Sequence, residues 1–153
     1  MQLFMANAKA RLNSEPIMRL AGLIDWQPVE DHMKAEYWRE FFRKGGRVPY
    51  DYRAMFRALL LSRWHGLSYP KLERTLRVRL DFLFFCGFDV DGRLPDACTL
   101  HRFNVRLSAD GVFDKMATEV ERQLHGHGLE LHRDYVTLPD LALVKQRGKP
   151  IAA

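Results

Sequence analysis

Apolar positions recur at steps of three and four residues along most of the chain, the pattern of helices with one buried face. The clearest stretch runs from Asp51 to Leu80, DYRAMFRALLLSRWHGLSYPKLERTLRVRL. Asp51 stands where its carboxylate can accept from the free N–H groups of a first helical turn. Phe56, Leu59, Leu60 and Trp64 then make one apolar stripe. Gly66 follows His65, where a left-handed residue ends a helix without steric cost. Ser68 is a good cap for a second helix, and Pro70 falls in its first turn, where a missing N–H costs little. Leu72 and Leu76 form the buried stripe of that second helix, with Lys71, Arg74 and Thr75 expected on another face. Two helices joined by a short glycine-containing turn, the second one basic, is the arrangement of a helix-turn-helix DNA reader. An ordinary helical hairpin with solvated Lys and Arg has the same local pattern, so the stretch alone leaves both readings open.

The flanking segments continue the helical pattern. Met1 to Asn13 is a mixed polar start, expected to fray. Ser14 can cap a short helix with Ile17, Leu20 and Leu23 inward, and Asp25 a second with Trp26, Val29 and Met33 inward. Trp38, Phe41 and Phe42 are bulky and close together, so they are expected on the core. Residues 43–49, RKGGRVP, form a basic loop that either touches phosphate or is a solvated connection. Asp81 to Gly87 is too short and too aromatic for a surface helix and predicts a buried helical turn ended by Gly87. Asp89 to Pro95 is turn-rich. Asp96 caps a helix over Ala97 to Leu107, with Leu100, Phe103 and Leu107 inward and Arg102 and Arg106 one turn apart on the surface. It is either a second reader or a continuation of the bundle.

Ala109 to His125 is the most regular amphipathic stretch. Phe113, Met116, Ala117, Val120 and Leu124 make its stripe, a core face or an interface for a second copy. His125 and His127 lack the accompanying ligands of a metal site, and none is expected there. From Leu129 the period changes: Leu129 and Leu131 alternate with Glu130 and His132, as in a strand. No partner strand is evident in the tail LALVKQRGKPIAA. The fold class expected is therefore mostly α, a compact helical bundle containing a helix-turn-helix, with a short strand-like tail.

The 153 residues carry 24 Lys and Arg against 19 Asp and Glu, a formal net charge of +5, which favours a polyanionic partner without identifying one. No apolar run approaches the roughly 18–20 residues of a membrane span, and the N-terminus lacks a signal-peptide core, so a cytoplasmic protein without membrane contact is expected. In that compartment Cys86 and Cys98 are expected as reduced core residues.

The run PYDYRAMFRALLLSRWHGLSYPKLERTLRVRLDFLFFCGF, then LPDACTLHRFNVRL, then GVFDKMATEVERQLHGHGL, with LAGLIDW before them, resembles the N-terminal domain of bacterial insertion-sequence transposases of the insertion-sequence-five group, within the DDE superfamily. The resemblance covers roughly Leu12 to Leu129, four blocks in matching order. It implies that residues 1–128 are a helical domain that binds double-stranded DNA at the terminal inverted repeats of a mobile element. It also implies that residues 129–153 are the truncated or diverged start of a ribonuclease-H-like domain. In that domain three separated carboxylates hold two divalent ions, Mg2+ in full-length members. Counting from Gly128–Leu129 places the first carboxylate near Leu138, where this chain has Leu138–Pro139–Asp140. No catalytic residue, metal ligand or cofactor is therefore assigned, and the chain by itself is not expected to be an enzyme. A decayed element, the first of two reading frames and a short DNA-binding product all fit that departure. The residues expected to meet DNA are Lys71 and Arg74, flanked by Arg63, Arg77 and Arg79, with Arg102 and Arg106 as a second contact. The alternative partner is another copy, or a full-length transposase that this chain would inhibit, met through the Phe113–Leu124 helix.

Overall fold

The computed structural model describes residues 2–34, 50–131, 144–146 and 149–150. In chain order these form helices α1 (Gln2–Leu12), α2 (Pro16–Leu23), α3 (27–34), α4 (Tyr52–His65), α5 (Tyr69–Val78), α6 (Leu80–Cys86), α7 (Ala97–Ser108) and α8 (Val112–Gly126). Three short strands follow, β1 (Leu129–Leu131), β2 (Val144–Gln146) and β3 (Lys149–Pro150). The fold is mostly α, as the periodicity predicts. Trp38, Phe41, Phe42 and the basic loop 43–49 lie outside the described residues.

Helix α4 is the axis of the bundle. A single stripe was the expectation, yet Ala54, Met55, Phe56, Ala58, Leu59, Leu60, Leu61, Trp64 and His65 are all buried. Neighbours cover it on several sides. Phe56 meets Phe113 of α8 edge-on at 5.8 Å, and Trp64 tilts against Phe85 of α6 at 5.9 Å. Arg57 bonds Glu30 of α3 at 2.8 Å while its guanidinium stacks on Trp26 at 4.1 Å. Each fully buried Leu or Phe here contributes about 1.5–3 kcal/mol of transfer free energy, so α4 carries much of the apolar stabilisation.

The turn after α4 is built by its residues. Gly66 is left-handed at φ 60°, and the Leu67 N–H reaches back to the Ser62 carbonyl at 3.0 Å. This six-to-one bond, with Leu67 buried beneath it, is a Schellman closure. The Ser62 hydroxyl also donates to the Leu67 carbonyl at 2.7 Å. Ser68 then accepts from the Lys71 N–H and starts α5. Leu72 and Leu76 are buried as expected, but Thr75 joins them, its hydroxyl donating to the Lys71 carbonyl at 2.7 Å. That internal bond satisfies the hydroxyl and lets the residue sit inside.

Several local expectations change. Residues 2–12 form a helix with none of its residues buried, because Gln, Leu, Met, Ala, Lys and Arg are all strong helix formers. Helix α2 starts after Glu15 without a side-chain cap, while the Ser14 hydroxyl donates instead to the Arg11 carbonyl. The long C-terminal helix starts at Val112: Gly111, at φ 68°, separates it from the turn at Ala109 and Asp110. Cys98 is exposed near the start of α7, and Cys86 alone is buried, where the surrounding apolar residues push its thiol pKa up. The tail supplies its own strand partner, since β1 pairs antiparallel with β2, Leu129 opposite Gln146 and Leu131 opposite Val144, and β2 pairs with β3.

The stripe Phe113, Met116, Ala117, Val120 and Leu124 lies in the chain's own core. Helix α8 is fastened to the N-terminal helices by a reciprocal pair of bonds: the Asp25 N–H donates to Gln123 Oε1 at 2.7 Å, and Gln123 Nε2 donates to the Asp25 carbonyl at 3.1 Å.

Candidate nucleic-acid interface

Helix α5 is strongly two-faced. With 3.6 residues per turn, Lys71, Arg74, Arg77 and Val78 fall within an arc of about 120°, and all four are exposed. Leu72, Thr75 and Leu76 occupy the opposite side. Among the described residues no ion pair involves Lys71 or Arg74. Arg77, 57% exposed, bonds Glu73 at 2.9 Å one turn back.

Helix α7 packs beside α5. Glu73 joins them: one carboxylate oxygen accepts from Arg77, and the other accepts from the Ala97 N–H at 3.0 Å. Toward the other end of α5, Tyr69 meets His101 at 5.2 Å. The α5 residue order thus runs against that of α7. Cys98, His101, Arg102, Val105 and Arg106 form the exposed face of α7, which carries no acidic residue along its length. The Arg102 Nε donates within α7 to the Cys98 carbonyl at 3.4 Å.

Asp96 stands at the start of α7, next to the Ala97 N–H that bonds Glu73. This carboxylate caps α7 by accepting from the Thr99 N–H at 2.7 Å. That bond, with the fields of Arg102 and Arg77, holds its pKa below the usual carboxylate range. Arg77 of α5 and Arg102 of α7 are thus both near enough to Asp96 for their charge to act on it.

Two of the seven expected residues stand elsewhere. Arg63 is 22% exposed and turned toward α8, its Nε on Glu121 at 2.9 Å and its Nη1 on Asp114 at 3.0 Å. Arg79 forms a bidentate pair with buried Asp81, at 3.0 and 2.5 Å, and lies over Phe82 at 4.2 Å. Both guanidiniums brace the bundle. Lys71, Arg74, Arg77, Arg102 and Arg106 remain as outward cations on two adjacent helices. Their chemistry suits phosphate: Lys offers a mobile point charge, Arg a fork of donors.

The family described as Transposase domain (DUF772) matches the chain over residues 6–106. The chain belongs to this family. No curated protein and no solved structure matches it. The family match runs from within α1 to near the end of α7, so the α4–α5 pair and five outward cations all lie inside the transposase domain. Membership ties the chain to transposition. No helix among the described residues is long and apolar enough to cross a membrane.

Sequence reasoning missed Glu73 and the Tyr69–His101 contact. The spacing of Glu73 and Arg77 announces their ion pair, whereas the bond to Ala97, 24 residues away, has no local signal.

Proposed function

We propose that this transposase domain binds duplex DNA through the joined exposed faces of α5 and α7, as the helical N-terminal part of an insertion-sequence transposase of the insertion-sequence-five group, within the DDE superfamily. The α4–Gly66–α5 unit acts as the helix-turn-helix, and the target is the terminal inverted repeat of the element. The observation that carries this reading is the set of outward cations on two packed helices, three on α5 and two on α7, with Lys71 and Arg74 held by no ion pair among the described residues. The Ala97 N–H bond to Glu73 and the Tyr69–His101 contact set the two helices side by side. A stripe of this sign supplies the salt-dependent affinity that phosphate contacts give.

In this reading residues 1–128 recognise DNA, and 129–153 begin a ribonuclease-H-like domain. The chain positions DNA and is not itself the strand-cutting enzyme. It works in the cytoplasm, on the nucleoid.

The test is fluorescence anisotropy with a duplex from the element's ends and a scrambled duplex, at two salt concentrations. Tighter binding to the ends that persists at the higher salt is expected. Replacing Lys71 and Arg74 with Ala should make the slope of log affinity against log salt shallower by about 1.8, about 0.9 for each lost phosphate contact. Reversing both charges should abolish binding with the circular dichroism unchanged. Unaltered affinity in the folded double reversal overturns the assignment.

A further inference from the structure

Exposed apolar side chains are ordinary on a protein surface, but two here sit inside basic faces. Val78 is 71% exposed at the end of α5, and Val105 is 53% exposed in α7. Lys71, Arg74 and Val78 are spaced three and four residues apart, so they form one ridge along α5. Val105 likewise stands three residues after Arg102 and directly before Arg106.

Among the described residues neither valine has a structural task that accounts for it. Valine is a modest helix former because its branched carbon loses rotamer freedom, so an exposed helical valine adds little to helix stability. The buried side of α5 is already complete in Leu72, Thr75 and Leu76. The residues exposed with Val78 on this face of α5 are Lys71, Arg74 and Arg77, and their charge selects a polyanion as the body that covers it. Phosphates satisfy the cations but give an isopropyl group nothing to bind. In the major groove of DNA, the base-edge group that suits a small branched apolar side chain is the C5-methyl of thymine.

We propose that Val78 is a specificity-determining residue that reads a thymine methyl in the major groove, on the ridge where Lys71 and Arg74 hold the backbone, and that Val105 plays the matching part on α7. The proposal rests on the DNA-binding reading above and adds a base preference to it. For general affinity a serine at position 78 would serve equally well and a lysine better. A valine discriminates T from C, which presents an amino donor in place of the carbonyl and lacks the methyl.

The experiment uses the full chain. Preferred duplexes are selected from a randomised pool at moderate salt. Each thymine of the selected sequence is then replaced singly by uracil, which deletes the methyl and leaves the base pair. One replacement should weaken wild-type binding about fourfold, the value of one buried methyl group. V78S should bind the thymine duplex more weakly by a comparable factor and lose nothing further on the uracil duplex. V105S run in parallel should point to a different thymine. Equal affinity of the wild type for every uracil duplex overturns the proposal, as does a V78S variant that keeps the full thymine preference. If charge reversal of Lys71 and Arg74 abolishes binding while the uracil series is flat, the base assignment fails and the DNA-binding reading stands. If charge reversal changes nothing, both fall.

Discussion

Acidification should destabilise this protein in a window set by one histidine. His65 ends α4 and is 2% exposed, its ring 4.9 Å from Phe82. Burial, aided by the positive Arg79 nearby and opposed by Asp81, pushes its pKa down to about 4. Its Nδ1 is buried and has no hydrogen-bond partner among the described residues. The folded pKa lies below the ordinary value of 6.5, so the unfolded chain binds the proton more readily. Stability is therefore full above about pH 6.5 and is lost as pH falls toward 4. The fall from 6.5 to about 4 amounts to about 3.4 kcal/mol in total, of which about 2 kcal/mol is gone by pH 5. In urea denaturation that loss moves the midpoint down by about 1 M, for a slope near 2 kcal/mol/M. His65→Leu removes the titration and the unpaired nitrogen while keeping an apolar contact with Phe82. Its midpoint should change far less between pH 7 and pH 5. The exposed histidines are common to both proteins, so their effect cancels. Asp96, lowered by its Thr99 hydrogen bond, and Glu119, held at about 2 by Arg122, lose their contributions mainly below about pH 4.5, so they count little between pH 7 and pH 5. A wild-type midpoint that is unchanged at pH 5, or an equal fall in the leucine variant, refutes the argument.

Two further outcomes follow from the bundle. Gly66→Ala places a β-carbon on a residue at φ 60°, which should cost about 1–2 kcal/mol and lower the thermal midpoint. Arg63→Ala removes a partly exposed bridge to Asp114 and Glu121; the loss should be about 0.2–1 kcal/mol in chemical denaturation, with DNA affinity within twofold of wild type.

The helical frame was legible because its signals are local. Asp51, Ser68 and Asp96 each accept from a first-turn N–H, and Gly66 and Gly87 end their helices in left-handed geometry. Burial that depends on tertiary neighbours was less legible. Thr75 turns inward because its hydroxyl finds a carbonyl one turn back, and Arg63 faces inward because α8 brings two carboxylates beside it. Cys98 is outside for the converse reason, since it falls on the face of α7 opposite Leu100 and Leu107. Residue type alone said polar out and cysteine in. The basic surface was legible for the exposed stretch of α5 and for Arg102 and Arg106, whereas Arg63 and Arg79 look the same in sequence and differ in which carboxylates the fold brings to them.

The bridging carboxylate of Glu73 has a consequence for association. Two helices that turned independently would each lose orientational freedom when a rigid polyanion clamped them, and that loss would subtract from affinity. With one oxygen on Arg77 and the other on the Ala97 N–H, the relative pose of α5 and α7 is set while the protein is still free. The spacing between their two rows of cations is thereby a property of the folded chain, and under the proposed DNA-binding role it is a fixed gauge for the phosphate spacing of a duplex.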